Sequence, residues 1–173
     1  MRVAISGTHR TGKTTLVTEL AARLPGYAVL DEPYRILEDE GYEHSDPPSL
    51  EDYEAQLRTS LAQVAAAPAD ALFDRCPLDV LAYIEALDAD YDVEPWLDQI
   101  RAAVDRIDLI VFVSIDPAIP VGAHEDRQLR RRVDDHVQRL VLDDPFGFDL
   151  TTLEVFGDVA ARVHQVTREM RIP

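Results

Sequence analysis

Residues 7 to 14, GTHRTGKT, carry the types and spacing of a loop that grips phosphate: a glycine, four residues, then glycine, lysine and threonine. Gly7 and Gly12 let the backbone curl so that successive N–H groups point inward at phosphate oxygens. Lys13 is expected on the β- and γ-phosphates of a nucleoside triphosphate, and the Thr14 hydroxyl on Mg²⁺. Thr8, Thr11 and Thr15 complete the loop residues expected against the nucleotide. His9 and Arg10, also in the loop, could touch the nucleotide, but loop side chains more commonly face solvent, and neither is assigned a role. Among the 17 Lys and Arg residues of the chain there is one lysine, and it is Lys13. A compact ammonium is kept where phosphate chemistry wants it, while arginine serves everywhere else.

Two further groups have the right chemistry. Glu32 stands in VLDEPYR, and Asp74 and Arg75 stand in LFDRCPLDVLAYI. Each follows a short apolar run that reads as a strand, and open parallel sheets bind ligands outside the carboxyl ends of their strands. Phosphoryl transfer asks for metal placement, charge neutralisation, and something to orient or deprotonate the acceptor hydroxyl. Asp74 can hold Mg²⁺ directly or through water. Arg75 can neutralise a phosphate or anchor an anionic acceptor, and Glu32 can accept the hydroxyl proton. The alternative for each is a solvated charge at a strand end, and Asp31, beside Glu32, could take its place. Tyr34 and Arg35 could line the acceptor site.

These residues need elements to position them. Arg2 to Ser6 reads as a buried strand ahead of the loop, and Leu16, Leu20 and Leu24 recur at helical spacing after it, up to Pro25-Gly26. The positive N-terminal end of that helix adds to the phosphate site. Tyr27–Leu30, Ala71–Asp74, Leu109–Ile115 and Thr152–Phe156 are further strands. Helices are expected from Ser49, with Asp52 in capping position, to about Ala66, from Pro77 to Leu87, from Pro95 to about Arg106, over the charged stretch 123–142, and from Asp158 to Met170. Strands alternating with helices predict an α/β fold: a five-stranded parallel sheet covered by helices on both faces. No repeat or linker appears, so residues 1–173 read as a single domain.

Composition narrows the function. The formal net charge of −16 argues against a partner made of nucleic acid or anionic membrane. The lone cysteine, Cys76, forms no internal disulfide, and no Cys/His cluster has zinc-ligand spacing. No signal-peptide pattern and no run of about eighteen apolar residues occurs, so a cytoplasmic protein is expected. There is no asparagine, and the only lysine is in the loop, so the Asn-Lys-x-Asp element that reads guanine in GTPase switches cannot be assembled. The five-strand core uses up the chain after the loop, leaving no room for the helical lid domain of a motor-type ATPase.

GTHRTGKTTL, DEPYR and DRCPLDVLAYI together resemble the P-loop nucleoside and nucleotide kinase superfamily, most nearly the small AAA-like ATPases related to ribosylnicotinamide kinase. The resemblance implies a single-domain P-loop NTPase fold, with Glu32 as base and Asp74 and Arg75 as the metal and phosphate pair. It also implies an arginine-rich helical lid over about 120–142, hinged at Gly122 and the prolines before it, that brings Arg127 and Arg131 to the transferring phosphates. The alternative for that helix is a solvated face of Asp126–Arg130 and Arg131–Asp135 pairs. Gly157-Asp158 falls where related folds carry the adenine loop, so Arg162 could stack on the base. The acceptor region, about 31–66, matches no single substrate; Tyr34, Tyr42 and Tyr53 are candidates for an aromatic clamp. The expectation is an ATP- and Mg²⁺-dependent phosphotransferase acting on a nucleoside- or nucleotide-like metabolite. A regulatory nucleotide-binding protein with slow hydrolysis and no acceptor is the alternative.

Overall fold

In the computed structural model, which describes residues 1–115 and 126–171, five parallel strands stand in the order β2-β3-β1-β4-β5. They are β1 (Arg2–Ser6), β2 (Ala28–Leu30), β3 (Ala71–Asp74), β4 (Leu109–Val113) and β5 (Thr152–Val155). Between them run α1 (Lys13–Arg23), α2 (Pro33–Asp39), α3 (Leu50–Ala66), α4 (Pro77–Leu87), α5 (Glu94–Val104) and α6 (Arg127–Gln138), with α7 (Val159–Glu169) last. A single π-helical turn, Arg139–Asp143, extends α6. The five-stranded parallel sheet with helices on both faces is the fold expected from the sequence.

The central strands are apolar on both sides because both faces are covered. In β4, Leu109, Val111 and Val113 pack against α1 and α7 with Val3 and Ile5 of β1. Ile110 and Phe112 point the other way, with Ala4 and Phe73, into the layer of α3, α4, α5 and α6. Each such side chain contributes about 1.5–3 kcal/mol on leaving water, so register is strongly fixed: Ile5 pairs with Asp74 on one side and with Val111 on the other.

Local signals set the boundaries. Ser49 caps α3 through a capping box: its hydroxyl accepts the Asp52 N–H at 3.2 Å, and Asp52 Oδ2 accepts the Ser49 N–H at 2.7 Å. Strands β4 and β5 end two residues and one residue earlier than predicted, at Val113 and Val155. The hinge expected at Gly122 lies outside the described residues. Because β1 sits between β3 and β4, the connections diverge to either side of it, which opens a crevice above its carboxyl end.

Candidate active site

The turn after β1 is held open by its first glycine. Gly7 has φ +142°, and a Cβ there would lie 2.4 Å from the Val113 carbonyl oxygen of β4. Gly12, at φ +90°, is the left-handed residue that launches α1. Lys13 folds back and donates from Nζ to the Thr8 carbonyl at 2.5 Å, and the residue is buried. Burial, reinforced by the Arg75 charge, pulls its ammonium down from 10.5 to about 7. A cation so poorly solvated is poised to gain from an incoming phosphate.

Thr14 donates from its hydroxyl to Asp74 Oδ2 at 2.6 Å, across from the end of β3. The other oxygen, Asp74 Oδ1, is buried without a hydrogen-bond partner among the described residues. Burial pushes the Asp74 carboxyl above its ordinary value, against the Thr14 hydrogen bond and the charges of Lys13 and Arg75. An unsatisfied carboxylate oxygen next to a hydroxyl is a hard-oxygen pair that fits Mg²⁺, an ion usually held by one or two carboxylates plus substrate phosphates. Among the described residues there is no cluster of three or more His, Cys, Asp or Glu able to cage a metal. If Mg²⁺ is held by Thr14 and Asp74, nucleotide binding should be tighter with the ion in wild type and indifferent to it in Asp74→Asn, measured by titration with and without Mg²⁺. The substitution should leave the ligand-free protein at least as stable to urea, because the raised carboxyl pKa marks a burial cost that a neutral amide escapes.

Arg75 lies just beyond β3 in the left-handed region, φ +81°. Its Nε donates to Glu32 Oε2 at 3.0 Å and its Nη1 to the Gly7 carbonyl at 3.3 Å, while its guanidinium covers the Tyr83 ring at 5.3 Å. Burial works against the Arg75 charge, but Tyr83, Asp79 and Glu32 outweigh it and hold the guanidinium firmly protonated. Burial likewise works against the Glu32 charge, and Arg75 overcomes it, holding that carboxyl below its ordinary value. Asp31 is exposed, and its carbonyl accepts a hydrogen bond from Gln63.

Two cavities flank this pair. One, about 320 Å³, is lined by Gly12, Lys13, Thr14 and Thr15 together with His9, Glu32 and Arg75. The other, about 350 Å³, is also lined by His9, Glu32 and Arg75, and beyond them by Tyr34, Tyr53, Gln56 and Tyr83. Tyr53 and Tyr83 stack with centroids 5.1 Å apart. The amide nitrogen of Gln56 is buried in that wall with no partner among the described residues. Of the tyrosines expected in a clamp, Tyr34 and Tyr53 line the cavity, whereas Tyr42 donates to Asp52 at 3.0 Å.

The arginines of α6 divide between solvent and the phosphate loop. The buried stripe of α6 runs through Arg130, Val133 and Val137, which turns Arg127 and Arg131 to solvent, where they line a separate depression with Gln128, Arg132 and Asp135. The arginine that reaches the loop is Arg130, donating to the His9 carbonyl at 3.2 Å and the Arg10 carbonyl at 3.4 Å. Asp126 caps the helix, accepting the Gln128 and Leu129 N–H groups at 2.9 Å each. Arg162, expected on a base, instead sits buried beneath the loop and donates from Nη1 to the Thr11 carbonyl at 2.7 Å. His9, given no role from sequence, sits between the cavities with Nδ1 3.0 Å from the Tyr83 hydroxyl.

A family model described as an AAA domain matches residues 2–162. The chain belongs to that AAA domain family. No curated protein matches it. The fold of this AAA domain is that of P-loop nucleoside kinases. A deoxyadenosine kinase from M. mycoides, with products dCMP and a flexible dCDP bound, matches over 99% of this chain and 98% of its own at 15% identity and a TM-score of 0.69. NadR in complex with NAD and AMP-PNP matches over 99% of this chain at 19% identity and a TM-score of 0.72. NadR in complex with NR matches at 20% identity and a TM-score of 0.69. The AAA domain spans about half the length of NadR, 49% and 50% in the two structures. At these identities the likeness is one of fold.

Proposed function

We propose that this AAA domain is an ATP-dependent phosphotransferase that phosphorylates a hydroxyl of a small nucleoside-like metabolite. The observation that carries this reading is the shared wall: Glu32 and Arg75 line both the phosphate-loop cavity and the aromatic one. An NTPase switch that only hydrolyses its nucleotide has no need of a second cavity of about 350 Å³ that shares His9, Glu32 and Arg75 with the phosphate-loop cavity. The ligands bound in the structural neighbours, dCMP, NAD and NR, are likewise nucleoside-like.

In this mechanism the loop amides and Lys13 bind the donor phosphates, and Thr14 and Asp74 would hold Mg²⁺. When bound, that ion neutralises charge on the phosphate oxygens. Arg75 faces the transferring group from the shared wall. Glu32, ionised at neutral pH because Arg75 lowers its pKa, accepts the acceptor hydroxyl's hydrogen bond and aligns the oxygen for in-line attack. Tyr53, Tyr83 and the free Gln56 amide suit a flat heterocycle with an acceptor atom on its edge. Arg75 is the one permanent cation among the described lining residues, and Glu32 and Asp79 already balance it. That supports an uncharged acceptor over one bearing its own phosphate.

The test is ADP release from ATP on addition of candidate nucleosides and nucleotides, followed by identification of the phosphorylated product. Glu32→Gln is expected to lower turnover about 100-fold, the low end of the range for a lost acid–base group. A full-rate variant would move the role to Asp31 or to no residue. Binding of nucleotide with no acceptor phosphorylated, and nucleotide-dependent capture of a protein partner, would overturn the kinase reading.

A further inference from the structure

The carboxylate of Asp79 lies behind the site and touches none of the space a substrate would fill. It is fully buried at the third position of α4. Its Oδ2 accepts the Cys76 N–H at 2.9 Å, which is an ordinary helix cap. Capping occupies one oxygen. The other, Oδ1, accepts the N–H of Gly7 at 2.8 Å, 72 residues away and the first residue of the phosphate loop. The carbonyl of the same Gly7 accepts Arg75 Nη1, and that nitrogen is 3.9 Å from Asp79 Oδ1. Both polar groups of Gly7 are thus held by side chains from the β3–α4 junction, and Arg75 in turn grips Glu32.

We infer that Asp79 is a positioning residue for phosphoryl transfer, clamping Gly7 so that the donor loop and the Glu32–Arg75 pair keep a fixed register. This rests on the kinase reading above. The carboxylate is chemically required. An asparagine presents one acceptor oxygen and an NH₂ group, so one of the two backbone N–H donors would face another donor. A serine offers a single short hydroxyl that cannot span both.

Asp79→Asn and Asp79→Ser are compared with wild type at a temperature where all remain folded by circular dichroism. Three quantities are read: the Gly7 amide in a ¹H–¹⁵N spectrum, the Kd for ADP, and turnover at saturating ATP and acceptor. The expected result is an upfield move and faster exchange of the Gly7 amide proton, with kcat reduced about 100-fold, the loss typical of a misplacement near 1 Å. The ADP Kd should change far less, because the remaining loop amides and Lys13 are intact. A role limited to capping would lower stability and leave kcat per folded molecule and the Gly7 signal unmoved in both variants; that outcome overturns the inference. If wild type binds ADP but phosphorylates no acceptor, the kinase reading fails by itself. The clamp is then judged on the Gly7 signal, and an unmoved signal overturns it.

Discussion

Replacing Lys13 by methionine is expected to abolish phosphoryl transfer while making the ligand-free protein more resistant to denaturant near neutral pH. The two effects have one cause. The ammonium is buried for the sake of a phosphate, and without one it costs stability: its pKa falls from 10.5 to about 7. Below pH 7 the folded and unfolded chains both carry the proton, and the full burial cost is present. Between pH 7 and 10.5 the unfolded chain holds a proton that the folded one has released, so this group makes stability rise with pH. The shift corresponds to roughly a few kcal/mol. Urea midpoints at pH 7 and pH 9 should differ in wild type in that direction, and the difference should shrink in Lys13→Met. Transfer should fall about 1,000-fold, the upper end of the range for one lost charge-stabilising donor. Undiminished transfer in the variant would sink the mechanism. Nucleotide binding restores the ammonium, so it should take up a proton above pH 7 and weaken as pH rises, which calorimetry in buffers of different ionisation enthalpy measures.

Gly7→Ala is the second large effect. The added methyl would lie 2.4 Å from the Val113 carbonyl oxygen and 3.3 Å from its carbon. That backbone is fixed by the β1–β4 ladder, where Ile5 pairs with Val111 and Ser6 with Phe112. Backbone strain at φ +142° adds about 1–3 kcal/mol, and overpacking about another 1–3 kcal/mol. Together these are a large part of a typical domain's total of about 5–15 kcal/mol. Gly12→Ala should be milder in fold stability, since its nearest neighbour is the movable Arg162 Nη1 at 3.2 Å. Equal urea midpoints for the two variants would contradict this account.

The parts of the site visible in the sequence are those encoded by neighbours in the chain. GTHRTGKT is a contiguous string, and Glu32, Asp74 and Arg75 are marked by the ends of apolar runs. Asp79, Arg130 and Gln56 were not marked in this way. Their roles depend on contacts such as Asp79 with Gly7 or Arg130 with His9, 121 residues apart, which no local pattern reports. For α6 a signal did exist. The family resemblance points to Arg127 and Arg131, whereas the apolar positions Val133, Val137 and Leu140 define the inward face and carry Arg130 with them. Asp79 is not singled out in the sequence, because nothing local says what its two oxygens meet, Cys76 and the distant Gly7.

The hydrogen bond from Arg162 to the Thr11 carbonyl joins residues 151 apart, so the loop that binds nucleotide depends on the last helix of the fold. During synthesis the loop leaves the ribosome well before its support in α7. Until α7 docks, Lys13 and the loop amides lack that backing, and the nascent chain has no formed phosphate grip. The order of the phosphate loop is therefore a readout of the folding of this whole domain rather than a property of the loop segment alone.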